Sequence, residues 1–115
     1  MTDGTEPARA YYRALDEGEY DRLADLLTEG FVHDRPDRTL EGRDRFVTFM
    51  REERPQTDTS HRVDTVFTAE PRPESETDAA VQGRLLAADG SAITDFVDVF
   101  SVCEAGIERI ETYSD

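Results

Sequence analysis

Lysine and asparagine are absent from this 115-residue chain, and cysteine occurs once. A lone thiol, Cys103, excludes an internal disulfide and fits a reducing compartment. No run approaches the ~18 to 20 apolar residues of a membrane span, so a soluble protein is expected. The start, MTDGTEPAR, lacks the basic end and apolar stretch of a signal peptide, which points to the cytoplasm. Positive charge is scarce too: 13 basic residues, all Arg, face 27 acidic ones, for a net charge of -14. Without a basic stripe, phosphate backbones and anionic lipids would be repelled, so neither nucleic acid nor membrane is an expected partner. Two histidines far apart, with no Cys or Glu at ligand spacing, argue against a metal site. No glycine-rich phosphate loop occurs, and no cofactor is expected.

Lysine and asparagine use A-rich codons, so a GC-rich genome accounts for their absence but not for the charge. A carboxylate surface of this density suits a salt-adapted cytoplasm, where ions screen self-repulsion. A halophilic, haloarchaeal source is therefore expected.

What is present is an ordered change of period. The length allows one domain, residues 1–115, with 1–6 polar and flexible. Pro7 suits the first turn of a helix carrying Ala8, Tyr11, Tyr12 and Leu15 on one face, and Gly18 ends it. A second helix puts Tyr20, Leu23, Leu26 and Leu27 together and stops at Gly30. Phe31 to Arg35 is a short strand ended by Pro36. The Glu41-Gly42 turn opens a third helix with Phe46, Val47, Phe49 and Met50, closed by Pro55. Beyond it the period becomes two, with strands at 61–69, 79–87, 92–103 and 107–113 and a charged loop at 71–78. The expected fold is α+β: three N-terminal helices packed in a curved, mainly antiparallel sheet, an open-ended cone with a pocket at its mouth.

Three stretches, YYRALDEGEYDRLADLLTEGFVHDRP, LEGRDRF and FVDVFSVCEAGIERIETY, resemble the nuclear transport factor 2-like superfamily. That superfamily includes ketosteroid isomerases, scytalone dehydratase and the SnoaL-like polyketide cyclases. The resemblance implies a tyrosine on helix one and an aspartate on a late strand that donate hydrogen bonds to a developing enolate. Tyr11 aligns with the first and Asp98 with the second, with Phe96 and Phe100 as same-face neighbours that would raise the pKa of Asp98. The position of the proton-moving carboxylate carries Arg35, which cannot take a proton; Asp34, one residue earlier, faces the other way. Steroid-type isomerisation is thereby disfavoured.

His33 shares the parity of Arg35, so both are expected in the cone, His33 as acid or base and Arg35 as anchor for an enolate or carboxylate. A buried Arg35–Asp98 ion pair is the structural alternative. Phe46, Phe49, Phe96 and Phe100 are candidate ligand contacts, whereas His61 is expected to be exposed. Three classes stay open. An enzyme would be a cofactor-free isomerase or lyase using Tyr11, His33 and Asp98. A binding module would hold a small ligand in the same cone without turnover. An assembly domain would form a homodimer through the convex sheet face at Ile93, Val97 and Val99.

Overall fold

The computed structural model describes residues 5–53, 58–68 and 79–114. Residues 1–4, Pro55 and the charged loop at 71–78 lie outside the described residues. Helix α1 (Thr5–Glu17) buries Ala8, Tyr11, Tyr12, Ala14 and Leu15, the helical spacing of an amphipathic stripe. It begins earlier than expected, since Thr5 and Glu6 are already helical. Gly18, at φ 68°, ends it in the left-handed conformation that favours glycine, and the Glu19 N–H bonds back to the Ala14 carbonyl at 2.9 Å.

Helix α2 (Tyr20–Leu26) is shorter than its apolar pattern suggested. Leu27 already belongs to strand β1 (Leu27–Asp34), which runs through Gly30 instead of starting after it. The reason is long-range: Leu27 pairs in parallel register with Ile107 of the last strand, and that pairing overrides the local helical period. A short strand β2 (Thr39–Glu41) folds back on β1, and α3 (Arg43–Thr48) continues into a wider π-type turn at Phe49–Glu53. Strands β3 (Ser60–Thr68), β4 (Ala79–Leu86), β5 (Ala92–Cys103) and β6 (Gly106–Ser114) follow.

The six strands of the described residues lie in the order β2-β1-β6-β5-β4-β3. Only β1 and β6 are parallel; all other neighbours are antiparallel. The expected α+β architecture is present, as three helices packed against a curved, mainly antiparallel sheet. The core between them holds Leu15, Leu23, Phe31, Phe46, Val81, Phe100, Ile107 and Ile110, all fully buried. Among the described residues, no helix is long and apolar enough to cross a membrane.

Register places the polar groups. Asp98 on β5 sits opposite Thr112 on β6 and Val81 on β4, and His33 sits beside Ile110. Gly83 sits opposite Phe96 on the next strand, where a Cβ would come within 2.8 Å of the ring and 2.4 Å of the Arg62 carbonyl. Its missing side chain leaves room for the Phe96 ring against β4.

Candidate functional site

A cavity of about 440 Å³ opens between α1 and the concave sheet face. Leu15, Met50, Leu85, Ile93 and Phe96 form its apolar wall; Tyr11, His33, Thr59, His61, Asp98 and Thr112 bring polar atoms to it, and Arg35, Pro36 and Asp37 also line it. The sequence-derived site is therefore only partly assembled: Tyr11, His33, Arg35, Phe96 and Asp98 line the cavity. Phe46, Phe49 and Phe100 do not line it; they are buried in the core. Phe46 stacks on Tyr11 with ring centres 6.2 Å apart and meets Phe31 edge-on. Phe49 serves the guanidinium groups of Arg38 and Arg35, at 4.9 and 5.4 Å from its ring centre.

The carboxyl of Asp98 is held by two hydroxyl groups. Tyr12 donates to Oδ2 at 2.5 Å, and the Thr112 hydroxyl donates to Oδ1 at 2.6 Å. One residue along a helix is a rotation of about 100°, so the two rings reach different groups: Tyr12 meets the Asp98 carboxyl, and Tyr11 packs on Phe46 and Phe100. Burial pushes the Asp98 pKa up, although the hydrogen bonds from Thr112 and Tyr12 and the charges of His61 and Arg35 pull the other way. Burial and the adjacent Asp98 carboxylate hold the Tyr12 phenol far above its ordinary value, so it remains a donor.

His33 is buried, and its Nε2 lies 2.8 Å from Thr112 Oγ1. Burial and then the Arg35 charge pull its pKa down to about 3. Burial favours the neutral ring, which weighs against the role of acid or base expected of His33. Arg35 does not pair with Asp98. Its Nε lies 3.3 Å from Asp37 Oδ1, and Arg38 shares the same carboxylate at 3.4 Å. Asp34 faces outward as expected and binds Arg109 at 3.0 Å.

The residue that the sequence reading missed is His61. Its side chain is 15% exposed, well inside the range of a packed group, and it lines the cavity. Asp16, at the end of α1, grips it twice: Oδ1 lies 2.6 Å from Nδ1, and Oδ2 accepts the His61 backbone N–H at 3.0 Å. With Nδ1 committed, Nε2 is the ring nitrogen left for a ligand. The His61 ring packs on Tyr12 and Phe96, with centres 5.1 and 5.6 Å away. A signal was available, since His61 shares strand parity with Val63, which packs against the core. Ile93, expected on the convex face, instead lines the cavity, next to the irregularity in the β4–β5 register. Among the described residues, no three His, Cys, Asp or Glu side chains converge as a metal centre.

The model of the SnoaL-like domain matches residues 8–110. The chain belongs to the SnoaL-like family. No curated protein matches this SnoaL-like chain. Among solved structures, an NTF2-like protein of unknown function from Cytophaga hutchinsonii is 16% identical, with a TM-score of 0.77, covering 100% of this chain and 91% of the other. A "putative ketosteroid isomerase" from Kribbella flavida is 20% identical, with a TM-score of 0.78 and coverage of 98% and 78%. A "putative polyketide cyclase" from Sinorhizobium meliloti is 12% identical, with a TM-score of 0.76 and coverage of 98% and 100%. At these identities the likeness is one of fold, and the SnoaL-like scaffold leaves chemistry to the side chains in the cavity.

Proposed function

We propose that this SnoaL-like protein is a cofactor-free isomerase or lyase that moves a proton on a small carbonyl compound. One observation carries the reading: the Asp16-held His61 and the buried Asp98 face the same largely apolar cavity. An imidazole oriented by a carboxylate is a general base, and its Nε2 takes the proton from the carbon beside the carbonyl. Asp98, made a weaker acid by burial, donates a hydrogen bond to the carbonyl oxygen as charge develops there. Arg35 at the rim anchors an anionic or carbonyl group. His33 supports the site and does not move the proton. The neighbours named as isomerase and cyclase fit this class of reaction. The remaining expectations form part of the same proposal: one domain over residues 1–115, a cytoplasmic, salt-adapted setting, and a homodimer through the outer sheet face at Val97 and Val99.

A second reading, ligand binding without turnover, is favoured by Arg35 at the position where the isomerases keep a carboxylate. The two separate cleanly with 2-cyclohexenone as probe in D2O at high salt. Exchange of the protons beside the carbonyl, followed by NMR, is expected with the wild type and lost with His61→Gln. A thermal shift by the ketone without any exchange would replace the enzyme by the binding module.

A further inference from the structure

A feature of the buried network concerns where a proton on Asp98 can sit. Thr112 has one hydroxyl proton and two neighbours competing for it, Asp98 Oδ1 at 2.6 Å and His33 Nε2 at 2.8 Å. His33 Nδ1 is fully buried and has no hydrogen-bond partner. If Thr112 donated to Nε2, the ring proton would move to Nδ1 and leave a sealed N–H donor without an acceptor. If Thr112 donates to the carboxyl, Nε2 keeps the proton and donates to Thr112, and only a neutral lone pair is left unmatched. The second arrangement also places a donor against the charge-bearing group, where a hydrogen bond is strongest.

The chain of donors then runs His33 to Thr112 to Asp98 Oδ1, while Tyr12 fills Oδ2. Each carboxyl oxygen has two lone-pair directions, and the protein supplies a donor to one of them on each oxygen. A proton taken up by Asp98 therefore has to occupy a direction that faces neither Tyr12 nor Thr112. Asp98 lines the cavity, so the vacant directions are the ones a ligand can meet.

We propose that Thr112, held in its donor orientation by His33, is a positioning residue that leaves the Asp98 proton for a cavity ligand. The assignment deepens the proposed proton-transfer reading, in which Asp98 must act as donor. The charged and titratable groups around Asp98 come from every packed element: Tyr12 from α1, His33 and Arg35 from and just after β1, and His61 from β3. Its β4 neighbour, Val81, is uncharged. With His33 Nε2 carrying its own proton, Asp98 Oδ1 is the acceptor left for the Thr112 hydroxyl.

The test uses the full chain in high salt. Long-range ¹H–¹⁵N NMR at neutral pH is expected to show His33 with the proton on Nε2 and a bare Nδ1; a proton on Nδ1 overturns the proposal. Titration of the ¹³C-labelled Asp98 carboxyl supplies the second readout. Thr112→Val removes a donor to the charged form and should make Asp98 a roughly tenfold weaker acid, moving its midpoint up by about one pH unit. Thr112→Ser, which keeps the hydroxyl and serves if the Val variant misfolds, should restore the wild-type midpoint. Equal midpoints in wild type and Thr112→Val overturn the role of Thr112, and so does a raised midpoint in Thr112→Ser. These readouts need no substrate. A correct tautomer and midpoint without ketone exchange would reject the reaction and keep the positioning.

Discussion

Tyr12→Phe removes one oxygen atom and leaves Asp98 Oδ2 buried without its donor. Asp98 is 5% exposed, so little water reaches Oδ2 to replace the 2.5 Å hydrogen bond. A hydrogen bond to a charged group contributes about 1.5–3 kcal/mol, and one to a neutral group about 0.5–1.5 kcal/mol. Which figure applies depends on whether Asp98 is ionised. Burial raises its folded pKa above the unfolded value of ~3.9. Its contribution to stability is therefore fully present below the unfolded value and lost as pH rises through the folded one. Tyr12 favours the charged form, so its removal raises the folded value further, and the gap between variant and wild type widens with pH. An unfolding entropy of roughly 2.1 cal/mol/K per residue makes 1 kcal/mol worth about 4 °C in a chain of this length. Scanning calorimetry at high salt, at one low and one high pH, should show Tm lower by about 6–12 °C where Asp98 is ionised and by only about 2–6 °C where it is neutral. The control, Tyr113→Phe, removes a hydroxyl that donates to Glu111 at the surface and should leave Tm unmoved. Equal losses at both pH values would refute the argument that a chargeable carboxyl accepts this bond.

Gly83→Ala should destabilise by roughly 1–3 kcal/mol, because its methyl would press on the Arg62 carbonyl and the Phe96 ring; the midpoint of urea unfolding reads it directly. Asp34→Ala breaks an ion pair with Arg109 that is about two-fifths exposed on both sides, so it should cost under about 1 kcal/mol. The same variant should retain ketone exchange, and loss of exchange would mean that Asp34 reaches the cavity. The net charge of -14 predicts that the fold loosens below about 0.1 M salt, where the Debye length exceeds ~10 Å. An unchanged Tm from low to molar salt would remove the case for salt adaptation.

Much of the architecture is legible as period and punctuation. The α1 stripe, its Gly18 end, strand β5 and the Asp98-Phe96-Phe100 face follow from local spacing. The boundary between α2 and β1 does not, because Leu26 and Leu27 fit a helix as well as a strand until Ile107 offers a partner. Parity correctly separated His33 and Arg35 from Asp34. It was not applied to His61, whose strand start looked exposed until the end of α1 brought Asp16 against it.

Composition and periodicity alone determined an acidic α+β chain with its helices in the first half, strands through the second, and Asp98 on one strand face with Phe96 and Phe100. Tertiary structure alone decided that Tyr12 meets Asp98, that Thr112 stands between Asp98 and His33, and that Arg35 turns to Asp37. The physical reason is one of range. Side-chain direction within a helix or strand is set by a few neighbouring dihedral angles and can be counted along the chain. Which groups meet depends on strand register and on the rotation of a helix about its axis, and both are settled by packing between residues 14 to 86 positions apart.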